Sequence, residues 1–206
     1  MAYAPAPVET VVHLIRHGKV ENPTNVRYGH APGFHLSELG RAQAKAAGVR
    51  LRELGQPLAA LVTSPLERAV ETAEIIGGEL AMAITKADER VTEAQNQLAG
   101  LHRYAFLYPW QWWRLYNPIK PSWGEPFADV AARMRAAIDE LRAHHAGAAV
   151  AVVSHQAPIW IMREAVEHPG RIPWLGAVRC TQASVTTLRF DGERYLGHTY
   201  WAPPAL

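Results

Sequence analysis

The sequence predicts an α/β fold, a three-layer sandwich whose mainly parallel central sheet carries helices on both faces and has an antiparallel edge. Short β-branched runs alternate with helix-length segments over most of the 206 residues, a pattern typical of β-α-β units. The first such run, 11–15, is apolar almost throughout, as expected of a strand covered on both faces. Near the end of the chain, Asp191-Gly192 separates two β-rich runs and predicts a hairpin, which supplies the antiparallel edge.

Length and composition indicate one ordinary globular unit. Hydrophobic residues make up 49% of the chain and charged residues 19%, which argues against a disordered protein. We expect residues 1–206 to form a single domain, with a cap segment inserted at about 88–125.

Charge and cysteine usage narrow the class of partner and the compartment. The chain has 21 basic and 19 acidic residues without a run of like charges, so we predict neither a nucleic-acid nor a membrane partner. No apolar stretch approaches the ~18 residues of a membrane span. The single cysteine, Cys180, excludes an intramolecular disulfide, and Met1 to Thr10 lacks the pattern of a signal peptide. We therefore expect a cytoplasmic protein.

The first helix has clear signals at both ends. Ser37 precedes an alanine-rich segment that continues to about Leu54, where Gly55 and Pro57 end the predicted helix. A second strand is then predicted at 61–63, again a short apolar run.

The second helix is predicted from its start. The tetrapeptide Ser64-Pro65-Leu66-Glu67 matches a capping box with proline at the first helical position, so we expect the helix to begin there. It should end near Gly77-Gly78. A short third strand is predicted at about 82–85.

Helical and strand periodicity is absent from Asp88 to Glu125, which we interpret as an excursion over the edge of the sheet. Its rings could grip an apolar leaving group, with Arg103 or Arg114 reaching a second anionic group, or they could form the small core of the cap itself. The aromatic residues are Tyr104, Phe106, Tyr108, Trp110, Trp112, Trp113, Tyr116 and Trp123.

Regular elements return after this excursion. A helix is predicted at about 126–145, a strand at 148–153 and a helix from about Pro158. The hairpin strands then span 184–190 and 193–200.

Cationic and potentially nucleophilic side chains follow three of the predicted strands. They lie in Arg16-His17-Gly18, in Ser64 to Arg68 and in Ser154-His155-Gln156. An open parallel sheet keeps its ligand crevice at the carboxyl ends of its strands, so we expect these side chains to converge there. Two arginines and two histidines at one edge predict a site for a phosphoryl group.

Each of these side chains suits a step of phosphoryl transfer. Arg16 and Arg68 can neutralise the phosphoryl oxygens through planar, permanently charged forks, and His155 adds a donor if it is protonated. We predict His17 as the nucleophile, provided that one ring nitrogen keeps its proton on a carbonyl or carboxylate. A phosphohistidine would follow without any metal or other cofactor.

The leaving alkoxide also needs a proton. A carboxylic acid that stays protonated near neutral pH should therefore face the pocket. The candidates are Asp88, Glu89 and Glu93, in the segment that enters the aromatic excursion.

These motifs together resemble the histidine phosphatase (phosphoglycerate mutase-like) superfamily over about Val11 to Ile161. The matching strings are Leu14 to Gly18, Leu36 to Gly40, Ser64 to Ala73, Asp88 to Glu93, Trp123 to Glu125 and Val152 to His155. The resemblance implies that His17 is phosphorylated, that Arg16, Arg68 and His155 hold the phosphate, and that Glu93 is the acid and later the base. Glu89 is the reserve for the acid.

The chain departs from the family pattern at several positions. Val20 stands where the family often has Ser or Thr, and Asn22 matches a phosphate-contacting asparagine only with a one-residue slip. Gln156 replaces a usual glycine and would narrow the pocket, and Ala99 stands where a second glutamate is common. Asn22 is thus the least direct of the predicted phosphate ligands.

We expect a metal-independent phosphatase that hydrolyses a small phosphomonoester through phosphohistidine. One alternative is a phosphoglycerate mutase, although the longer basic lid expected of such enzymes is not evident between Gly100 and Glu125. Another alternative is a non-catalytic module that binds a phosphorylated ligand or a protein. A small phosphorylated substrate is the predicted partner, and the oligomeric state and physiological substrate stay open.

Overall fold

A computed structural model describes residues 9–96, 100–102, 124–171 and 179–204. Within them the chain forms a six-stranded sheet in the order β3-β2-β4-β1-β5-β6 and four α-helices. The strands are β1 (Glu9–Arg16), β2 (Leu58–Thr63), β3 (Lys86–Ala87), β4 (Ala149–Ser154), β5 (Val185–Asp191) and β6 (Arg194–Trp201). The helices are α1 (Glu38–Glu53), α2 (Glu67–Leu80), α3 (Phe127–His144) and α4 (Gln156–Glu167).

The sheet confirms the predicted mixture of strand directions. β3, β2, β4 and β1 are parallel, whereas β5 runs antiparallel to β1 and β6 antiparallel to β5. The register pairs Arg16 with Ser154 and Thr63 with Val153. As a result, the residues that follow β1, β2 and β4 leave the sheet side by side.

Helices cover both faces of the sheet, as predicted. On one face, alternate strand residues such as Leu14 and Val152 pack with Met134 of α3 and Ile159 of α4. On the other face, the intervening residues, including Ile15, pack against α1 and α2. Because a strand's successive side chains point to opposite faces, the continuous apolar runs follow directly from this double burial.

The second helix does not begin as predicted. It starts at Glu67, and Leu66 in the N-cap position makes no side-chain cap bond. The expected capping residue, Ser64, instead pairs its hydroxyl with His155 Nε2 at 2.8 Å. Ser64 Oγ also accepts from Leu66 N at 3.3 Å, but the carboxylate of Glu67 accepts from Gly33 N at 2.5 Å. The capping-box interpretation was therefore wrong, because Glu67 binds the loop before α1 and the helix starts three residues after Ser64.

Two further boundaries differ by a few residues. α2 continues past Gly77-Gly78 to Leu80 and is capped by Ala81 in a left-handed conformation with φ 53°. β3 lies at 86–87 rather than 82–85, although Thr85 N already donates to Leu61 O at 2.7 Å. The two glycines thus do not end the helix. Gly77 has a different role, because a side chain there would place Cβ 2.5 Å from the Met82 carbonyl oxygen.

Of the predicted cap insertion, the structure describes residues 88–96, 100–102 and 124–125. A 3-10 turn at Glu89–Val91 and an isolated bridge between Asn96 and Gly124 belong to it. The aromatic residues from Tyr104 to Trp123 lie outside the described residues, so their predicted roles stay predictions. Among the helices of the described ranges, none combines the length and apolar character needed to span a bilayer.

Candidate active site

The ends of β1 and β4 bring the two predicted site histidines together. His17 and His155 follow the paired residues Arg16 and Ser154, and their ring centroids lie 5.1 Å apart. Both rings are buried, with exposed fractions of 2% for His17 and 0% for His155. The site therefore begins at the place in the sheet where the sequence predicted it.

The His17 ring is oriented by its own backbone. Its Nδ1 lies 2.7 Å from the carbonyl oxygen of Gly18. Because a carbonyl only accepts, Nδ1 carries the proton and Nε2 is left with a lone pair. Burial, followed by the charges of Arg16 and Arg68, holds the pKa of His17 well below its usual range. The imidazole is thus neutral and has the form that a nucleophile requires.

Gly18 allows this turn to sit directly on the first turn of α1. A side chain at Gly18 would place Cβ 2.4 Å from the Gly40 carbonyl oxygen, and one at Gly40 would meet the Lys19 carbonyl oxygen at 1.9 Å. Gly18 N also donates to Thr72 Oγ1 at 3.1 Å, which ties the turn to α2. The two glycines explain why the strings around 18 and 40 occur together: they form the two sides of one contact.

Both predicted arginines lie at the strand ends beside the two histidines, and each has a side-chain nitrogen without a hydrogen-bond partner. Arg16 Nη1 donates to Cys180 O at 2.6 Å, and Arg68 Nη2 donates to Gly29 O at 2.7 Å. Among the described residues, five buried side-chain nitrogens find no hydrogen-bond partner, and three of them are Arg16 Nε, Arg68 Nε and His155 Nδ1. Buried donors without partners are costly, so a ligand that accepts hydrogen bonds would stabilise this cluster.

His155 enters the site as a neutral ring. Burial, followed by the influence of His17, holds the pKa of His155 well below its usual range. Ser64 Oγ lies 2.8 Å from His155 Nε2. When the hydroxyl donates to Nε2, the proton of the neutral ring stands on Nδ1, which can donate to an anion. His155 therefore does not need to be protonated in order to donate, contrary to the prediction from the sequence.

Tyr28 lies over this cationic cluster. Its ring centroid is 4.8 Å from the Arg68 guanidinium carbon, and the ring meets His17 edge-on at 6.4 Å. Phe34 packs on Tyr28 with the centroids 4.9 Å apart. Arg68 is only 1% exposed, and the Tyr28 ring is one of the groups packed on its guanidinium.

The acid candidates fall into very different surroundings. Glu93 lines the same pocket as His17, and burial raises the pKa of its carboxyl despite opposing hydrogen bonds and arginine charges. Asp88 is bound to Arg90, which lowers its pKa to about 2. Glu89 is exposed and does not line the pocket. Of the three, Glu93 is the one whose surroundings favour a protonated carboxyl facing a ligand.

Asn22 contributes chiefly to the loop that carries Tyr28. Its Nδ2 donates to Val26 O at 2.9 Å and its Oδ1 accepts from Val26 N at 3.2 Å. Asn22 also lines the pocket, so its role as a phosphate ligand stays a prediction. Gln156, the first residue of α4, lines the same pocket.

The site opens into a pocket of about 1100 Å³, large compared with a phosphoryl group. Arg16, His17, Tyr28, Glu93 and Glu125 are among the residues that line it. Among the residues that the structure describes, no three His, Cys, Asp or Glu side chains form a group that could hold a metal ion. The arrangement can bind a phosphoryl group through fixed cations, present a neutral imidazole to it, and supply a proton.

Three functional contacts escaped the sequence argument. Tyr28 lies in a polar loop, and its position next to Arg27 is the only feature of the sequence that could have indicated a role at the site. The link from Ser64 to His155 was hidden by the resemblance to a cap. Arg133 of α3, which contacts the segment before Glu93, looks in the sequence like any charged helix residue.

Comparisons with known proteins show the family to which the sequence is similar. A profile of the histidine phosphatase superfamily (branch 1) matches residues 12–201. An uncharacterized protein of Mycobacterium tuberculosis is 42% identical over 205 residues, which cover 97% of this chain and 100% of that protein.

Two further relatives have stated activities of different kinds. The solved structure of a mycobacterial glucosyl-3-phosphoglycerate phosphatase superposes with a TM-score of 0.74 and 27% identity, covering 96% of this chain and 100% of that one. A 2,3-bisphosphoglycerate-dependent phosphoglycerate mutase of Bartonella henselae is 34% identical over 137 residues, or 62% of this chain and 66% of the mutase. The relatives thus include both a hydrolase and a mutase.

Proposed function

The chain belongs to the histidine phosphatase superfamily, and on that premise we propose that it is a metal-independent phosphatase acting on a small phosphomonoester through phosphohistidine. The observation that carries this proposal is the orientation of His17. Its Nδ1 proton is held by Gly18 O, so Nε2 is the atom free to attack, next to three buried donors without partners. A site for passive phosphate binding would not need a neutral, oriented imidazole.

In the first step, His17 Nε2 attacks phosphorus and forms a P–N bond while the ester P–O bond breaks. Arg16, Arg68 and the Nδ1–H of His155 bind the phosphoryl oxygens as charge moves onto them. The Glu93 carboxyl gives its proton to the leaving alkoxide, which departs as an alcohol. The positive charge on the phosphorylated imidazole is stabilised by the Gly18 carbonyl.

In the second step, water replaces the alcohol. Glu93, now a carboxylate, accepts a proton from the water as its oxygen attacks phosphorus. The P–N bond breaks, inorganic phosphate leaves, and His17 recovers its lone pair. Glu93 recovers its proton at the same time, so the enzyme returns to its starting state.

Hydrolysis is favoured over mutase chemistry by the position of Glu93. A mutase must keep water away from the phosphoenzyme and hold a second phosphorylated group. Here Glu93, the group that would activate water, lines a pocket of about 1100 Å³. The structurally similar mycobacterial protein supports the same choice, since it is a glucosyl-3-phosphoglycerate phosphatase and not a mutase.

The proposal is tested by p-nitrophenyl phosphate hydrolysis in the presence of a chelator. His17→Ala should lower kcat by more than about 10⁴-fold, because the nucleophile and its intermediate are both lost. The matched control is His144→Ala, an exposed histidine of α3 that should keep wild-type activity. A phosphoryl mass increase trapped on the wild type at alkaline pH should map to His17.

Two results would overturn the assignment. Undiminished turnover by His17→Ala would exclude this nucleophile. Faster isomerisation of 3-phosphoglycerate than hydrolysis would identify a mutase instead.

A further inference from the structure

We propose that Arg133 of α3 is a positioning residue that holds Glu93 in place for proton transfer. This inference rests on the proposed function, in which Glu93 is the general acid. Arg133 does not line the pocket, so it would act through the backbone that carries Glu93 rather than on a ligand.

The guanidinium of Arg133 joins two pieces of chain. Nη1 donates to the carbonyl oxygens of Arg90 and Thr92, each at 2.7 Å. Nε and Nη2 donate to the two carboxylate oxygens of Glu125 at 2.8 and 2.9 Å. These hydrogen bonds are charge-assisted and have the planar, two-pronged geometry that only arginine provides.

The segment before Glu93 depends on such contacts because it has no ladder of its own. After the 3-10 turn at Glu89–Val91, residues 92–95 belong to neither a helix nor a strand. Ser154 Oγ donates to Val91 O at 2.6 Å from the sheet side. Three successive carbonyls, those of residues 90, 91 and 92, are thus held by side chains from α3 and β4.

Glu125 completes the enclosure on the far side of Glu93. Glu125 N donates to Gln95 O at 3.0 Å, and an isolated bridge joins Asn96 to Gly124. Arg133 is therefore bound to the chain just before Glu93 and, through Glu125, to the chain just after it. The Arg133 and Glu125 side chains are 20% and 18% exposed, so water competes little for these bonds.

The same contact separates the protonation states of two carboxyl groups that line one pocket. Burial would raise the pKa of Glu125, but the hydrogen bonds and charge of Arg133 outweigh burial and lower it. Glu93 lacks such a partner, and burial raises its pKa. The surroundings thus favour the ionised form of Glu125 and the protonated form of Glu93, the difference that a single general acid needs.

The test compares two esters that differ in their need for an acid. The leaving group of p-nitrophenyl phosphate departs as a stable anion and needs no proton. The leaving group of glycerol 2-phosphate is an alkoxide and must receive one. Arg133→Met should lower kcat/KM on glycerol 2-phosphate by roughly 10- to 100-fold, the cost of a misplaced acid, and kcat/KM on p-nitrophenyl phosphate by less than about threefold. The comparison uses kcat/KM because this constant ends at formation of the phosphoenzyme, before Glu93 activates water. Arg133→Lys, which keeps the charge but loses the fork, should fall between wild type and Arg133→Met.

Three readouts separate positioning from a merely structural role. The basic limb of the pH profile on glycerol 2-phosphate should shift in Arg133→Met. In a Glu93→Gln background, Arg133→Met should cause no further loss on this ester, since the acid is already absent. The matched control, Arg135→Met, changes an exposed arginine of the same helix that bonds Ala165 O and should leave both rates unchanged.

Other outcomes overturn the inference. Equal losses on both esters, or additive losses in the double variant, would assign Arg133 to general stability, and a thermal unfolding curve would show it. A higher KM on both esters with unchanged kcat would assign it to substrate binding. A different result would show that the proposed function itself is wrong: p-nitrophenyl phosphate hydrolysis would then not depend on His17.

Discussion

Two regions of the site are built in different ways. The strand-end cluster consists of Arg16, His17, Arg68 and His155, with exposed fractions of 0 to 2% for the last three. The entrance wall consists of residues 21–34, 88–96 and 124–125, which carry Tyr28 and Glu93. In the cluster, sheet register and the first turn of α2 place each side chain. In the wall, irregular backbone is placed by side chains that come from elsewhere.

This difference shows which interactions fix the positions of the site residues. The cluster inherits its geometry from a parallel sheet buried on both faces, whose packing leaves its strand ends little freedom. The wall relies on single polar contacts such as Arg133 with Thr92 O and Arg68 with Gly29 O. We expect substitutions in the cluster to affect every substrate alike, and substitutions in the wall to affect substrates according to their leaving group.

The largest substrate-dependent effect is expected for Glu93→Gln. On glycerol 2-phosphate, kcat/KM should fall by roughly 10²- to 10⁴-fold, whereas kcat/KM on p-nitrophenyl phosphate should stay near that of wild type. This constant reports formation of the phosphoenzyme, a step that precedes the activation of water by Glu93. The acid must be protonated, and burial raises its pKa, so wild-type activity should fall as the pH rises through that pKa. The variant should lack this fall, which pH–rate profiles would reveal.

Glu89→Gln is the matched control for Glu93→Gln. Glu89 is exposed and four residues earlier in the chain, so its profile should match that of wild type. A greater loss in Glu89→Gln than in Glu93→Gln would transfer the acid role to Glu89.

Arg68→Lys should act on all substrates equally. Replacing the planar fork by a single ammonium removes an oriented donor from the phosphoryl oxygens and should lower kcat/KM by about 10²-fold on both esters. Arg52→Lys, at an exposed arginine bound to Glu79, provides the control. If the loss of kcat/KM in Arg68→Lys differed between the two esters, the proposed difference between the strand-end cluster and the entrance wall would be wrong.

Asp88→Asn tests how much the ion pairs of Asp88, in the entrance wall, contribute to the free energy of unfolding. Arg90 and Lys86 hold the pKa of Asp88 at about 2, below its ordinary 3.8, so the ionised carboxylate stabilises the folded state. This contribution is present in full above pH 4 and is lost as the pH falls through 2. Urea unfolding should show a loss of about 1–2 kcal/mol at pH 7 and a smaller loss near pH 3. Equal losses at both pH values would contradict the ion-pair explanation.

Tyr28→Leu should have the smallest effect. The contact between the ring and Arg68 competes with phosphate for the guanidinium, and removing about 0.5–1 kcal/mol of cation–π energy should lower the inhibition constant of phosphate by roughly two- to fivefold. Phe34→Leu, which changes only the ring behind Tyr28, serves as the comparison. Weaker phosphate inhibition in Tyr28→Leu would mean that the tyrosine helps to bind the anion.

Much of the framework was predictable because its signals are local. The apolar run at 11–15 and the Ser37 cap lie within the elements they specify, and both are confirmed by β1 and by the bond from Gly40 N to Ser37 Oγ. The meeting of His17 and His155 was also predictable, since parallel strands that end at one edge bring their following residues together. The family and the mixed sheet are confirmed on these grounds.

Other features failed to show in the sequence because their partners are far apart in the chain. The Ser64 hydroxyl could cap a helix or bind His155, 91 residues away, and both uses fit the same tetrapeptide. Arg133 reaches a carbonyl 41 residues earlier, and backbone carbonyls carry no sequence signal. Only the folded chain selects between such partners.

The sequence by itself therefore determined the elements, their order and the chemical groups that follow the parallel strands, because hydrophobic periodicity and strand ends are properties of neighbouring residues. Tertiary structure alone decided which nitrogen of His17 is free, which glutamate has a raised pKa and which ring packs on Arg68. Those outcomes depend on burial and on hydrogen bonds between distant segments, which exist only once the segments have been packed together.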